Sequence, residues 1–171
     1  THSGTTQVSA GALIVRSVGG GTGTSSNLGS SGSLWLGNAA VGGALLYVGS
    51  GETATRFVGL AGTTGGGTID ASGSGPLVLT NLANTGTGNK TLTLRGMNSD
   101  LNMITSPFLY SSNVVSVTKA DSGVWVLAPT AQSTFAGSIN VTGGLLGLTS
   151  LAIGTLGVNL NGGGVFAYGG P

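Results

Sequence analysis

Ten side chains carry nearly all the acid, base and nucleophile chemistry this sequence could offer. They are Glu52, Asp70, Asp100, Asp121, His2, Arg16, Arg56, Lys90, Arg95 and Lys119. Two carboxylates a few ångströms apart could act as general acid and base on a glycosidic bond, and a carboxylate beside an arginine could do related work on a polysaccharide. The four acids have no short spacing that would pair them. Glu52 falls in the turn-like Gly51-Glu52-Thr53, Asp70 at the end of a strand-like run, and Asp100 and Asp121 in loops, so all four are expected to be solvated turn residues. His2 is the single histidine and there is no cysteine. A Ser/His/Asp triad would therefore depend on a residue near the chain end, and a metal would lack a second strong nitrogen or any thiolate ligand. The run Gly19-Gly20-Gly21-Thr22-Gly23-Thr24 lacks the lysine and following helix of a phosphate-binding loop. No catalytic residue, cofactor or metal is expected, and the chain is not expected to be an enzyme.

Six aromatic residues, Trp35, Phe57, Trp125, Phe135, Phe166 and Tyr168, are a different kind of candidate. They could stack on sugars, although a strand-borne aromatic more often packs in a core or corner. Asn89-Lys90-Thr91 and Asn140-Val141-Thr142 match the glycosylation sequon, a pattern that chance explains in a chain so rich in these residues.

The elements that would position these groups follow from composition. Charged residues are 5% of the 171, against roughly 25% in an ordinary soluble domain, so hydroxyls and amides must supply the solubility. The 35 glycines have no third-residue period, which excludes collagen. The chain is 39% hydrophobic with positive mean hydropathy, which argues against disorder. A formal charge of +1 with no basic run argues against nucleic-acid binding. No apolar run approaches the length of a membrane helix, and the strands are too short and the aromatics too few for a membrane barrel, so no membrane insertion is expected. With no leader in view, the chain reads as a mature piece of a longer precursor.

Short strand-like runs recur from Thr6–Ser9 to Val165–Tyr168. Thr91-Leu92-Thr93-Leu94 and Ser116-Val117-Thr118 alternate, placing leucine and valine on one face and hydroxyls on the other. Gly-Gly, Ser-Gly and related breaks separate the runs, and no window predicts a convincing helix. The fold class is all-β.

An internal repeat selects among all-β architectures. Gly137-Ser138-Ile139-Asn140-Val141-Thr142-Gly143-Gly144-Leu145-Leu146 aligns without gaps to Gly4-Thr5-Thr6-Gln7-Val8-Ser9-Ala10-Gly11-Ala12-Leu13. The first copy is preceded by Gly123-Val124-Trp125-Val126-Leu127, and the matching element for the second is Gly164-Val165-Phe166-Ala167-Tyr168, at the other end of the chain. The chain is thus a single segment, 1–171, with a repeat at 117–148 and a split copy at 164–171 plus 1–15. Joining Pro171 to Thr1 completes that copy, and Val165, Phe166, Tyr168, Pro171, Thr1, Gly4, Thr6 and Val8 become the predicted end-to-end junction. Solenoid repeats bury their apolar face only by stacking, so uncapped ends favour continuation.

These stretches resemble the autotransporter-associated β-strand repeats of long bacterial surface and secreted proteins. The residues carrying the resemblance are Val117-Thr118-Lys119, Gly123-Val124-Trp125-Val126-Leu127, Ser133-Thr134-Phe135-Ala136-Gly137 and Ile139 to Leu146, with spacer-like segments around residues 45–51, 60–70 and 85–96. Ala120-Asp121-Ser122 and Ala128 to Gln132 depart from the family's usual links. The resemblance implies a parallel β-helix, or β-solenoid, in an extracellular or cell-surface region, with no chemistry attached. At roughly 20 residues per coil, about eight coils would stack at ~4.8 Å each. The expected function is that of an open-ended structural unit of an extracellular filament whose partner is itself, as a head-to-tail polymer or tandem neighbours. An adhesin or glycan-binding passenger region is the alternative, with surface glycans as partners. Ice binding is the weaker reading because no regular Thr-x-Thr ladder persists in the sequence.

Overall fold

A computed structural model describes residues 2–20, 25–30, 32–107, 113–133, 136–153 and 157–169. Thr1, Thr134, Phe135 and Pro171, which the sequence reading singles out, lie outside them.

The chain winds through β1 (Thr6–Val8), β2 (Gly11–Val15), β3 (Leu34–Leu36), β4 (Gly43–Tyr47), β5 (Ser50–Ala54), β6 (Val58–Leu60), β7 (Gly67–Ala71), β8 (Gly75–Leu79) and β9 (Leu82–Asn84). It continues through β10 (Lys90–Arg95), β11 (Asn102–Ile104), β12 (Val115–Lys119), β13 (Val124–Leu127), β14 (Ile139–Val141) and β15 (Leu145–Leu148), makes one helical turn, α1 (Ser150–Ile153), and ends in β16 (Val158–Leu160) and β17 (Gly164–Ala167). Every pair of neighbouring strands is parallel and they form three faces. One face has four strands in the order β1-β3-β6-β9, one has seven in the order β2-β4-β7-β10-β12-β14-β16, and one has six in the order β5-β8-β11-β13-β15-β17. This is the parallel β-solenoid that the sequence predicts.

Alternation explains why these segments stack. In β10, Leu92 and Leu94 are fully buried while Thr91 and Thr93 face outward, and β12 repeats the arrangement with Val117 between Ser116 and Thr118. Along the seven-stranded face the inward row is Leu13, Leu45, Ile69, Leu94, Lys119, Val141 and Leu160. The outward row beside it is Ala12, Ala44, Thr68, Thr93, Thr118, Asn140 and Asn159. Stacked aliphatic rows form one continuous core, each fully buried leucine or isoleucine contributing about 1.5–3 kcal/mol. The outer polar rows bond to one another, as Asn159 Nδ2 donates to Asn140 Oδ1 at 3.0 Å and Ser138 Oγ to Ser116 Oγ at 3.5 Å.

The coils are less uniform than predicted. Gly11 pairs with Gly43, Gly43 with Gly67, Gly67 with Leu92, Leu92 with Val117, Val117 with Ile139 and Ile139 with Val158, giving steps of 32, 24, 25, 25, 22 and 19 residues. Seven strands therefore stack on this face where eight coils of about 20 residues were expected, over about 30 Å at the usual rung spacing. Three strands, β5, β9 and β11, lie where no strand was expected, although the run Leu77 to Leu82 reaches the first residue of β9. The inward positions of β5 and β11 hold Glu52 and Asn102 in place of aliphatics, which conceals the alternation.

Candidate functional sites on the coil corners and end surfaces

The polar groups with unusual surroundings sit at corners, where the main chain turns out of a strand and its carbonyls lose ladder partners. Lys119 lies in the inward row of the seven-stranded face between Leu94 and Val141 and is fully buried. Its Nζ donates to the carbonyl oxygens of Ala120 at 2.5 Å, Asp121 at 2.8 Å and Gly143, one coil on, at 3.1 Å. Burial pushes its pKa down to about 8, with the nearby Asp121 acting in the opposite sense. Gly144 completes the corner: its φ is +62° and a Cβ there would lie 2.7 Å from the Lys119 Nζ. Lys90 repeats the device two strands earlier, its buried Nζ donating to Gly62 O, and burial lowers its pKa too.

A second cluster organises the longest coil step. In the first coil residues 17–20 occupy the position of a strand beside β5, and Glu52 reaches across to them. Its carboxylate accepts from Val18 N at 2.5 Å, Ser17 Oγ at 3.0 Å and Gly19 N at 3.2 Å. Arg56, 1% exposed, donates to Val18 O, Gly32 O and Gly29 O at 2.7, 2.8 and 3.0 Å. Desolvation lowers the Arg56 pKa and Glu52 opposes that shift. Glu52 is thus a half-buried strand residue that binds a loop, a correction to its reading as a solvated turn residue.

The other acids divide. Asp70 on β7 is buried and Asp121 sits at a corner with φ of +57°, and both meet Arg95, whose Nε lies 3.3 Å from Asp70 Oδ2 and 2.9 Å from Asp121 Oδ2. The fold therefore brings together two carboxylates that the sequence leaves 51 positions apart, but with the arginine bonded to both. Asp100 stays exposed in a loop, as expected. Among the described residues no group of three or more histidines and acids gathers at metal-binding distance.

Buried asparagine was missed altogether. Asn102, 1% exposed, accepts from Leu77 N at 2.9 Å in the coil before and donates to Val124 O at 2.9 Å in the coil after. Its amide also donates to Asn98 Oδ1 and Asp100 O close by, but the partners that tie it to the neighbouring coils, Leu77 and Val124, lie more than 20 residues away and leave no cue in the sequence.

The aromatics behave mainly as packing groups. Trp125 is 1% exposed and donates from Nε1 to Arg95 O at 2.9 Å. Trp35 and Phe57 form an edge-to-face pair with centroids 5.5 Å apart, half-exposed on the outside of the four-stranded face. Trp35 lies over Gly59, where a Cβ would stand 2.7 Å from the ring, and Phe166 covers Gly147 in the same manner at 2.6 Å. An outward aromatic shielding a strand glycine in an adjacent coil, the next one for Trp35 and the preceding one for Phe166, is thus used twice.

The predicted junction residues occupy opposite ends of the stack. Val165 and Phe166 lie on β17 and Tyr168 just beyond it, while Thr6 and Val8 lie on β1 and the exposed Gly4 precedes it. The strands matched by the split repeat do not share faces. β14 and β15 lie on the seven- and six-stranded faces, whereas their sequence counterparts β1 and β2 lie on the four- and seven-stranded faces.

Three parallel faces, a continuous aliphatic core and hydroxyl-amide outer rows define a repetitive β-solenoid. The chain is 37% identical over 92 residues to Adhesin BmaC autotransporter of Brucella suis biovar 1 (strain 1330). The match takes in 49% of this chain but only 3% of that much longer protein. No family model and no solved structure matches the chain. The similarity and the solenoid together fit an autotransporter passenger-type repeat protein.

Proposed function

We propose that this chain is a structural segment of an extracellular, cell-surface rod that extends by stacking end to end and performs no catalysis. The observation supporting this most directly is Leu160. It ends the inward row of the seven-stranded face and is 58% exposed, and Val165, which ends an inward row of the neighbouring face, is 38% exposed. Inward-facing aliphatics at an open strand edge are the condition under which a solenoid gains by adding a coil. The resemblance to a far longer autotransporter adhesin supports surface placement. Negative-stain microscopy of the purified chain tests the reading: uniform thin filaments are expected, and compact monodisperse particles under mild conditions overturn it.

A second reading, adhesion to a glycan, is favoured by the half-exposed Trp35–Phe57 pair and by the name of the relative. Trp35→Ala is the test. Loss of binding on a glycan array with an unchanged melting curve supports adhesion, and unchanged binding, or none in the parent chain, removes it.

A further inference from the structure

Resting on the adhesion reading above, we infer that the outer surface of the four-stranded face binds a neutral oligosaccharide of β-linked pyranoses, with Trp35 and Phe57 as the stacking platform and Ser33 and Asn81 as hydrogen-bonding groups at its border. Trp35, Gly59 and Ala83 form one outward row of that face. Ser33, Phe57 and Asn81 form the other, since Leu34 N donates to Phe57 O and Val58 N to Asn81 O. β3, which carries Trp35, and β6, which Phe57 leads into, each have a strand on both sides. The platform therefore lies within the stack and not at a terminal coil.

The two rings form one surface. Their centroids are 5.5 Å apart with the planes at 61°, and both approach Gly59, where a Cβ would stand 2.7 Å from the Trp35 ring and 3.1 Å from that of Phe57. A residue without a side chain lets the indole settle against the strand, so its half-exposure falls on the side turned to solvent. Shielding a glycine takes one ring: Phe166 covers Gly147 at 2.6 Å with no aromatic partner among the described residues. At Gly59 there are two, and the second widens the exposed apolar surface.

A pyranose with equatorial hydroxyls presents planes of C–H groups, which stack on an aromatic ring, and a rim of hydroxyls that needs polar partners. The exposed Asn81 and the half-exposed Ser33 stand on either side of Phe57 in their row and supply an amide and a hydroxyl for that rim. No charged residue stands in either row, and Arg56, next to Phe57, turns inward to bond main-chain carbonyls and is 1% exposed. Such a surface has no cation to pair with the carboxylate of an acidic sugar or with a sulfate, which favours neutral sugars. From Ser33 to Asn81 it spans two rungs, about 10 Å at the usual spacing, more than one sugar covers, so the ligand is a chain lying along the solenoid axis.

Tryptophan emission reads the site selectively because Trp125, the other tryptophan, is 1% exposed. Cellotriose, a β-linked trisaccharide of glucose, is the probe, with sialyllactose as its acidic counterpart. Each is titrated into the parent chain and followed by emission and by saturation-transfer NMR, the latter also reading the variants that lack the indole. Cellotriose is expected to bind in the millimolar range, shift the emission to the blue and take up saturation at its ring C–H protons, and sialyllactose to give no response. Trp35→Ala should weaken cellotriose binding roughly tenfold or more, whereas Trp35→Phe, which keeps a ring over Gly59, should retain part of it. Asn81→Ala, at an exposed position, should weaken it severalfold with an unchanged melting curve. Preferential binding of sialyllactose, or cellotriose binding that survives Trp35→Ala undiminished, overturns the assignment of a neutral ligand to this platform. No response to cellotriose alongside Trp35-dependent binding on a glycan array overturns the ligand class and leaves adhesion standing. Binding to no glycan at all overturns adhesion with it.

Discussion

Lys119 Nζ and the carbonyl oxygen of Gly143 lie 3.1 Å apart across two successive coils, inside a row otherwise made of leucine, isoleucine and valine. A buried ammonium there is tolerated because it answers three corner carbonyls that no strand neighbour can reach.

Replacing Lys119 by Met keeps the volume and leaves those carbonyls without their donor. A buried unsatisfied acceptor costs about 1–3 kcal/mol, offset in part by the relief of desolvating the amine, so a net loss of about 1–3 kcal/mol at neutral pH is expected in urea unfolding. The pH dependence separates this from simple packing damage. The folded pKa is about 8 and the ordinary value 10.5, so between them the unfolded chain binds the extra proton. Stability of the parent chain should rise from pH 8 towards 10.5, and this contribution to the rise should be absent in Lys119→Met. A parallel pH profile in the variant would contradict the assignment.

Asn102 bridges three coils through Leu77 N and Val124 O. Asn102→Leu preserves bulk and strands both groups, for an expected loss of about 2–5 kcal/mol in denaturant unfolding. A loss below about 1 kcal/mol would mean the asparagine only fills space.

The Glu52 and Arg56 cluster holds Ser17, Val18, Gly19, Gly29 and Gly32 against β5 and the corner that follows it. Glu52→Gln weakens an acceptor of two main-chain amides, and the expected result is faster limited proteolysis within residues 17–33 at little global cost. Arg56→Met removes a buried guanidinium from several carbonyls and should also lower the melting temperature. Equal, slow cleavage in both variants and the parent would refute a clasp.

Trp35 lies over Gly59, and the space beneath the ring is already filled. Gly59→Ala should push the indole outward and move tryptophan emission to the red, whereas Gly147→Ala, under Phe166, should cost comparable stability, about 1 kcal/mol or more, without the spectral change. An unshifted spectrum in Gly59→Ala would show that the ring does not rest on that strand.

Strands such as β10 and β12 were legible because Thr91-Leu92-Thr93-Leu94 and Ser116-Val117-Thr118 state their faces with period two, and a core built of such rows needs no further information. Glu52, Arg56, Asn102 and Lys119 were not legible. Each satisfies main-chain groups in another coil, such as Lys119 with Gly143 or Arg56 with Val18, and no local pattern marks a residue whose partner lies that far along the chain.

By itself the sequence determined an all-β, sparsely charged, stacking architecture, because hydrophobic alternation and scarce charge act locally on every strand. Which face each strand occupies was decided only in three dimensions. The same ten-residue pattern lies on the four- and seven-stranded faces at one end and on the seven- and six-stranded faces near the other. The reason is physical: similar strands bury equally well on any face, so the lengths of the corners and the polar groups that hold them, from the clasp at Arg56 to the staple at Lys119, set the phase of the coil.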